Sequence, residues 1–224
     1  MVAKKQGANK PATKAPAPAK PGGRQASYVA RNRAALIRSA QEVLASIGLN
    51  ATIEEIANHA QVSPTTLYKY FPNKEVLFSE ALDQIWREWV FWGYNGVAPG
   101  KKLEDAIDVC RKLFWIKQTH PLFARILHNA LERPTMLINY VYESGAETFR
   151  ELAKRGEITS DNLEQRMKLF SYSLAGILSS VHVTEELSPS EAEVSLGIAL
   201  SVFGISPAKV NKLLSRALIF MPTN

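Results

Sequence analysis

The sequence predicts an all-α protein: a small N-terminal three-helix unit of helix-turn-helix type, followed by a larger helical domain. Three observations predict it. Apolar residues recur at three- and four-residue spacings along the body of the chain, with no strand-like alternation. Ser-Pro pairs at Ser63-Pro64, Ser188-Pro189 and Ser206-Pro207 mark helix starts, because proline at the first helical position gives up an N–H that has no intrahelical partner. Between residues 52 and 74, three helix starts are separated by only two tight corners.

The elements follow in order. Arg33, Ile37, Ala40, Leu44 and Ile47 pattern a first helix that stops at Gly48. Thr52 and Glu55 have capping-box spacing, and Ile53, Ile56, Ala57 and Ala60 then share one face of a short second helix. Gln61-Val62-Ser63 forms the corner, with Ser63 as cap and Pro64 opening a third helix. Pro72 ends that helix by disfavouring helical geometry at Phe71, and Asn73 caps a fourth helix running to about Trp92. A loop containing Gly93, Gly96, Pro99 and Gly100 comes next. Further helices are expected at 102–118, 121–131, 134–155, 161–183, 189–203 and 207–218.

Two short helices joined by a tight corner form a unit that lays its second helix in a DNA major groove. Leu67 and Phe71 are four apart and face the core, which leaves Thr65, Thr66, Lys69 and Tyr70 outward. Hydroxyls, amines and phenols contact phosphates and base edges, and no acidic residue lies between Gln61 and Lys74 to repel the backbone.

These residues resemble the DNA-binding domain of the tetracycline-repressor (TetR-like) family of bacterial transcriptional regulators. The resemblance rests on Leu67-Tyr68-Lys69-Tyr70-Phe71 leading into Asn73-Lys74-Glu75-Val76-Leu77, and on the first helix with its Gly48 stop. It covers about residues 31–82. It implies that Tyr68 and Lys74 contact the phosphate backbone, and the expected DNA-contacting set is Arg31, Arg33, Thr52, Thr65, Thr66, Tyr68, Lys69, Tyr70 and Lys74. Thr65 stands where the family often has a smaller residue, and Lys69-Tyr70 replaces its commoner Tyr/Arg-His pair, so no operator sequence carries over.

The 224 residues suffice for one compact core plus a small accessory domain. Three segments are expected: a basic tail over 1–27, the helix-turn-helix domain over 28–78, and a ligand-binding and dimerisation domain over 79–224. Residues 1–33 carry eight lysines and arginines and no acid, against a net charge of +6 for the whole chain, so the remainder sums to −2. The tail is too polar and too rich in proline to bury a core, and it reads as a disordered arm that follows phosphates, or else as a solubilising extension. Cys110, the one cysteine, excludes an intramolecular disulfide and a cysteine-based zinc site, fits a reducing cytoplasm, and reads as a small core residue. No segment is expected to span a membrane. His59, His120, His128 and His182 form no metal-ligand pattern, and Gly96 to Lys102 falls one residue short of a phosphate loop, so neither catalysis nor a cofactor is expected.

The second half of the fourth helix, with Ile85, Trp86, Trp89, Val90, Phe91 and Trp92, is apolar nearly all round and must be enclosed. Trp86, Trp89, Phe114, Trp115, Phe123, Leu127, Met136 and Tyr140 are candidate walls of a ligand cavity, with Arg125, His128 and Tyr140 as polar anchors. Leu163, Met167, Phe170, Leu174, Ile177 and Val181 make a heptad seam that predicts a homodimer, with Val194, Ile198 and Val202 as a second stripe. The resemblance implies that these two helices form a four-helix interface. The leading expectation is a repressor released from a palindromic, double-stranded operator by a small apolar or amphipathic effector. The alternative is an architectural, nucleoid-type protein that binds DNA mainly through its tail.

Overall fold

The computed structural model describes residues 23–96, 102–131 and 134–222, and every regular element among them is helical. Four helices come first: α1 (Arg24–Ser46), α2 (Ile53–His59), α3 (Pro64–Tyr68) and α4 (Lys74–Gly93). The body adds α5 (Leu103–Leu113), α6 (Ile116–Thr119), α7 (Pro121–Leu131), α8 (Pro134–Lys154), α9 (Leu163–His182), α10 (Pro189–Leu200) and α11 (Pro207–Leu214), with a 3-10 turn at Ser201–Phe203. None of the helices is long and apolar enough among the described residues to cross a membrane.

Local chemistry starts the short helices where the sequence places them. Thr52 Oγ1 accepts from the amide of Glu55 at 3.2 Å while Glu55 accepts from the amide of Thr52 at 2.7 Å, closing the capping box of α2. Those bonds from Thr52 hold the Glu55 carboxyl below the usual carboxylate range. Ser63 Oγ accepts from Thr66 N at 3.1 Å, and Asn73 Oδ1 from Val76 N at 2.8 Å. Ser188 and Glu191 repeat the capping box at α10.

Three boundaries differ from expectation. The basic tail lies outside the described residues as far as residue 22, but α1 begins at Arg24, so helix starts four residues ahead of Tyr28. The helix expected over 102–118 breaks into α5 and α6, because the Leu113 carbonyl at the break accepts from His182 Nε2 at 2.9 Å. The last helix ends at Leu214 rather than 218: residues 215–222 continue as a non-helical strap, held where Arg111 Nη1 donates to the Arg216 carbonyl at 3.0 Å. The expected loop after α4 falls partly on 97–101, outside the described residues.

One core runs through both parts. α4 carries it, burying Leu77 and Phe78 beside the first three helices and Ile85, Trp89 and Trp92 within the body. Two polar contacts fix α1 against this frame: Gln41 Nε2 donates to the Ala81 carbonyl at 3.1 Å, and Asn129 Nδ2 donates to the Leu44 carbonyl at 2.8 Å. A buried polar group is tolerated only when hydrogen-bonded, so each contact also sets the register of α1.

The expected dimer seam on α9 is corrected. Met167, Phe170, Leu174 and Val181 are buried within the protomer, and Phe170 packs against Phe149 of α8 and Phe203 with ring centroids at 5.6 and 5.2 Å. Four-three spacing marks a covered helix face, and here the chain's own α8 and 3-10 turn do the covering. Leu163, Ile177 and Val202 are half-buried, whereas Val194 and Ile198 are exposed.

Candidate nucleic-acid interface and internal chamber

α3 buries Leu67, and Phe71 just beyond it is also fully buried, which turns Thr65, Tyr68 and Lys69 outward. Tyr68 is 52% exposed. Together they present a hydroxyl, a phenol and an ammonium on a helix whose first turn is capped and carries no acid. Thr66 is half-buried, with its hydroxyl 2.9 Å from the capping Ser63 hydroxyl.

Four of the expected DNA-contacting side chains are used differently. Arg33 donates to the Tyr70 carbonyl at 2.7 Å, pairs with both Glu80 oxygens, and lies 4.2 Å over the Phe71 ring. It is the bolt between α1, α3 and α4, and is not free for phosphate. Tyr70 belongs to the same joint, because its phenol oxygen accepts from Asn32 Nδ2 at 2.9 Å. The Thr52 hydroxyl is engaged in its cap. Lys74 donates to the Ala51 carbonyl at 2.9 Å and sits 5.6 Å over Phe78, which leaves its two remaining N–H donors for a phosphate.

Arg31 is exposed and pairs with no acid among the described residues. With Tyr28 and Arg38, also exposed, it forms a stripe along α1 at spacings of three and seven residues. Tyr28 and Arg38 are additions to the expected set. Their spacing from Arg31 was the signal, hidden for Tyr28 by placing it at the edge of a tail.

Inside the body, a cavity of about 50 Å³ lies between α4, α5, α8 and α9. Trp86 and Trp89 wall one side, Cys110 and Leu113 another, and Ser144 and Thr148 a third. A smaller cavity of about 30 Å³ lies between α4, α7 and α8, bounded by Phe123, Leu127 and Tyr140. Trp86 alone lines both, with Trp89, Phe123 and Tyr140 at 5.7, 5.9 and 5.7 Å from its ring. No Asp, Glu, Lys or Arg lines either space. Burial pushes the Cys110 thiol and the Tyr94 phenol up to about 12, so both stay protonated at neutral pH. The indole N–H groups of Trp86 and Trp89 are buried and find no acceptor within the protein.

The expected cavity residues therefore divide. Trp86, Trp89, Phe123, Leu127 and Tyr140 do line cavities, but Phe114 is packed into the core and Trp115 turns toward Phe220, with centroids at 6.5 Å. Arg125 is on the surface, 3.7 Å from Glu42, and His128 Nδ1 is tied at 3.0 Å to the His182 carbonyl. Neither lines either cavity. The Met136 side chain lies outside the described residues. Polar groups at the larger cavity are Tyr94, Cys110, Ser144 and Thr148. The signal for them was a helical stripe, Val141, Ser144, Gly145, Thr148 on α8 facing Ala106, Val109, Cys110, Leu113 on α5.

Comparison with known proteins accords with this geometry. Residues 36–81 match the sequence pattern of the bacterial regulatory proteins of the tetR family. Over 69 residues the chain is 35% identical to the HTH-type transcriptional regulator RutR of Escherichia coli strain K12, a match covering 30% of this chain and 32% of RutR. The chain thus spans about a third of the length of the curated relatives it matches. Across the whole fold it is similar to RolR solved with resorcinol, with a TM-score of 0.62 and 19% identity over 87% of this chain and 98% of RolR. It is also similar to GusR of Salmonella enterica, with a TM-score of 0.57 and 17% identity over 78% of this chain and 96% of GusR. Identities this low speak to the fold alone. The chain is accordingly TetR-like: residues 36–81 match the tetR family of bacterial regulatory proteins, and the helical fold as a whole is similar to those of RolR and GusR.

Proposed function

We propose that this chain is a cytoplasmic, DNA-binding transcriptional regulator, a homodimeric repressor released from a palindromic operator by a small uncharged effector. The observation that carries the reading is the outward face of α3, where Thr65, Tyr68 and Lys69 stand on a capped helix within the domain that matches the tetR pattern. A single reader of this length makes too few base contacts for useful specificity, and a two-fold pair reads two half-sites about 34–36 Å apart.

The surface that supports pairing lies on α9 and α10. Leu169 and Tyr172 are more than half exposed, and Val194 and Ile198 are 65% and 71% exposed. A methyl group added at Gly176, beside them on α9, would meet nothing within the protomer. Two adjacent apolar stripes on neighbouring helices can meet their own copies across a two-fold axis as a four-helix packing.

The internal cavity supports the effector. At about 50 Å³ it is smaller than the roughly 150 Å³ that accommodates a benzene ring, so a ligand must move Trp86 or Trp89 to enter. Both sit on α4, whose first residue, Lys74, adjoins the reader. RolR shares this fold and holds resorcinol, a molecule of that size. A coupling of about 1–3 kcal/mol would change operator affinity roughly 5–150-fold.

Selection from a random duplex pool tests the function. The expected product is a two-fold symmetric site preferred over shuffled sequence, and Lys69→Ala should change base preference at one or two positions per half-site by about 1–3 kcal/mol. Equal affinity for selected and shuffled duplexes would refute sequence-specific regulation. The architectural alternative is favoured by the placement of the chain's excess positive charge in residues 1–33. Deleting residues 2–22 separates the two readings: retained operator preference supports the regulator, and loss of binding to all DNA supports the tail-driven protein.

A further inference from the structure

Trp89, which lines the internal cavity, also lines an open groove of about 450 Å³. It is walled by Glu88, Trp89 and Trp92 of α4, by His120 and Phe123 at the α6–α7 corner, and by Met221 of the C-terminal strap. Its size falls in the range of small-molecule sites. The walls are fixed to one another: Trp92 Nε1 donates to the Met221 carbonyl at 3.1 Å, and the Trp92 and His120 rings meet edge-on at 4.4 Å.

The electrostatics of this groove differ from those of the internal cavity. Glu88 is its one carboxylate, no Lys or Arg lines it, and burial keeps His120 below the ordinary histidine range and therefore neutral. The Glu88 carboxylate accepts from Gln84 at 2.8 Å and pairs with no cation among the described residues. Around it stand ring faces, including Phe91, which is 55% exposed. Aromatic faces attract positive charge, most strongly when it is an organic cation that sheds water easily, and a carboxylate at the rim adds to that attraction while repelling anions.

We propose that this groove is a second ligand site, taking an aromatic or quaternary organic cation, separate from the charge-free cavity with which it shares Trp89. The two sites select by charge, one neutral and one positive. The inference does not rest on DNA binding, so its failure would leave the regulatory reading untouched.

Calorimetric titration of the full chain with benzyltrimethylammonium tests it, with benzoate as the anionic control. The expected result is saturable one-site binding that benzoate does not compete for, weakened about fivefold by Glu88→Gln. Phe91→Ala should weaken it comparably, whereas Thr148→Val, in the inner cavity, should leave the affinity for this cation unchanged. Glu88 and Phe91 are exposed, and an unaltered melting temperature would verify that their variants fold. Non-saturable binding, binding indifferent to Glu88→Gln, or binding weakened by Thr148→Val would overturn the proposal.

Discussion

The reader and the body use their polar side chains over different distances. Between residues 52 and 76, Thr52, Ser63 and Asn73 each accept from an amide three residues ahead, so the corners are built from neighbours. In the body, Trp92 reaches 129 residues along the chain to Met221, Arg111 reaches 105 to Arg216, and His182 reaches 69 back to Leu113. The corners of the reader are shaped locally, and a few longer bolts, Asn32 and Arg33 to Tyr70 and Lys74 to Ala51, lock its helices together. The body holds its shape only when distant segments have already met, which makes its contacts collective.

The sharpest test of that contrast is to collapse one region and watch the other. Phe71 is fully buried beneath Arg33, and Phe71→Ala should cost about 3–5 kcal/mol. Calorimetry should then show the reader melting ahead of the body, with the mass in sedimentation unchanged. A single transition shifted as a whole would mean that α4 makes the two regions one cooperative unit.

Charge insertion separates the two faces of α9 and α10. Leu174→Arg buries an unpaired charge in the core, which costs several kcal/mol, and should unfold the body. Ile198→Arg puts the same charge on the exposed stripe and should yield a folded monomer with weakened operator binding. Were Ile198→Arg to remain a dimer in sedimentation, the proposed pairing face would be wrong.

These variants also show what the sequence disclosed. Capping and corner chemistry is written in adjacent residues, so the helix starts from Thr52 to Asn73 could be read directly; of the four side chains expected outward, Thr65 and Lys69 are exposed, whereas Thr66 and Tyr70 are half-buried. Arg33 was misread because nothing near it in sequence announces Glu80, 47 residues on. The seam through Phe170 and Leu174 was legible as a buried stripe, but spacing does not say whose residues bury it, and Phe149 and Phe203 supply the answer. Cys110 and Thr148 lie on separate helical stripes of α5 and α8 and Tyr94 just beyond α4, and nothing in the sequence says that these segments meet at one cavity.

Acid should distinguish the regions next. His182 is buried and desolvation holds its pKa below the ordinary value of about 6.5, so the unfolded chain binds the proton first. The stabilisation is fully present above that value and is lost as pH falls through the lower folded value. The melting temperature of the body should drop between pH 7 and pH 5, and His182→Gln, which retains a donor for the Leu113 carbonyl, should flatten that slope. The reader's histidine, His59, is exposed. An equally steep slope in His182→Gln would assign the acid sensitivity elsewhere.

The smallest effect belongs to the helix-turn-helix corner. Gln61 has φ +55°, a left-handed backbone that costs a side-chain-bearing residue about 1–2 kcal/mol. Gln61→Gly relieves that cost but adds freedom to the unfolded chain, for a net gain of about 0.5 kcal/mol. A raised urea midpoint for the reader, with the body's midpoint constant, is the expected outcome. A fall would mean that the Gln61 side chain stabilises the corner.

The placement of the tryptophans gives the molecule an optical asymmetry. All four, Trp86, Trp89, Trp92 and Trp115, lie in the second half of α4 or at the α5–α6 break, and the reader contains none. Tryptophan emission therefore follows the second half of α4 and the two proposed ligand spaces, while loss of the reader passes almost in the dark. A ligand that displaces Trp86 or Trp89 would announce itself without any label. Fluorescence alone, however, would score a protein with an unfolded reader as intact.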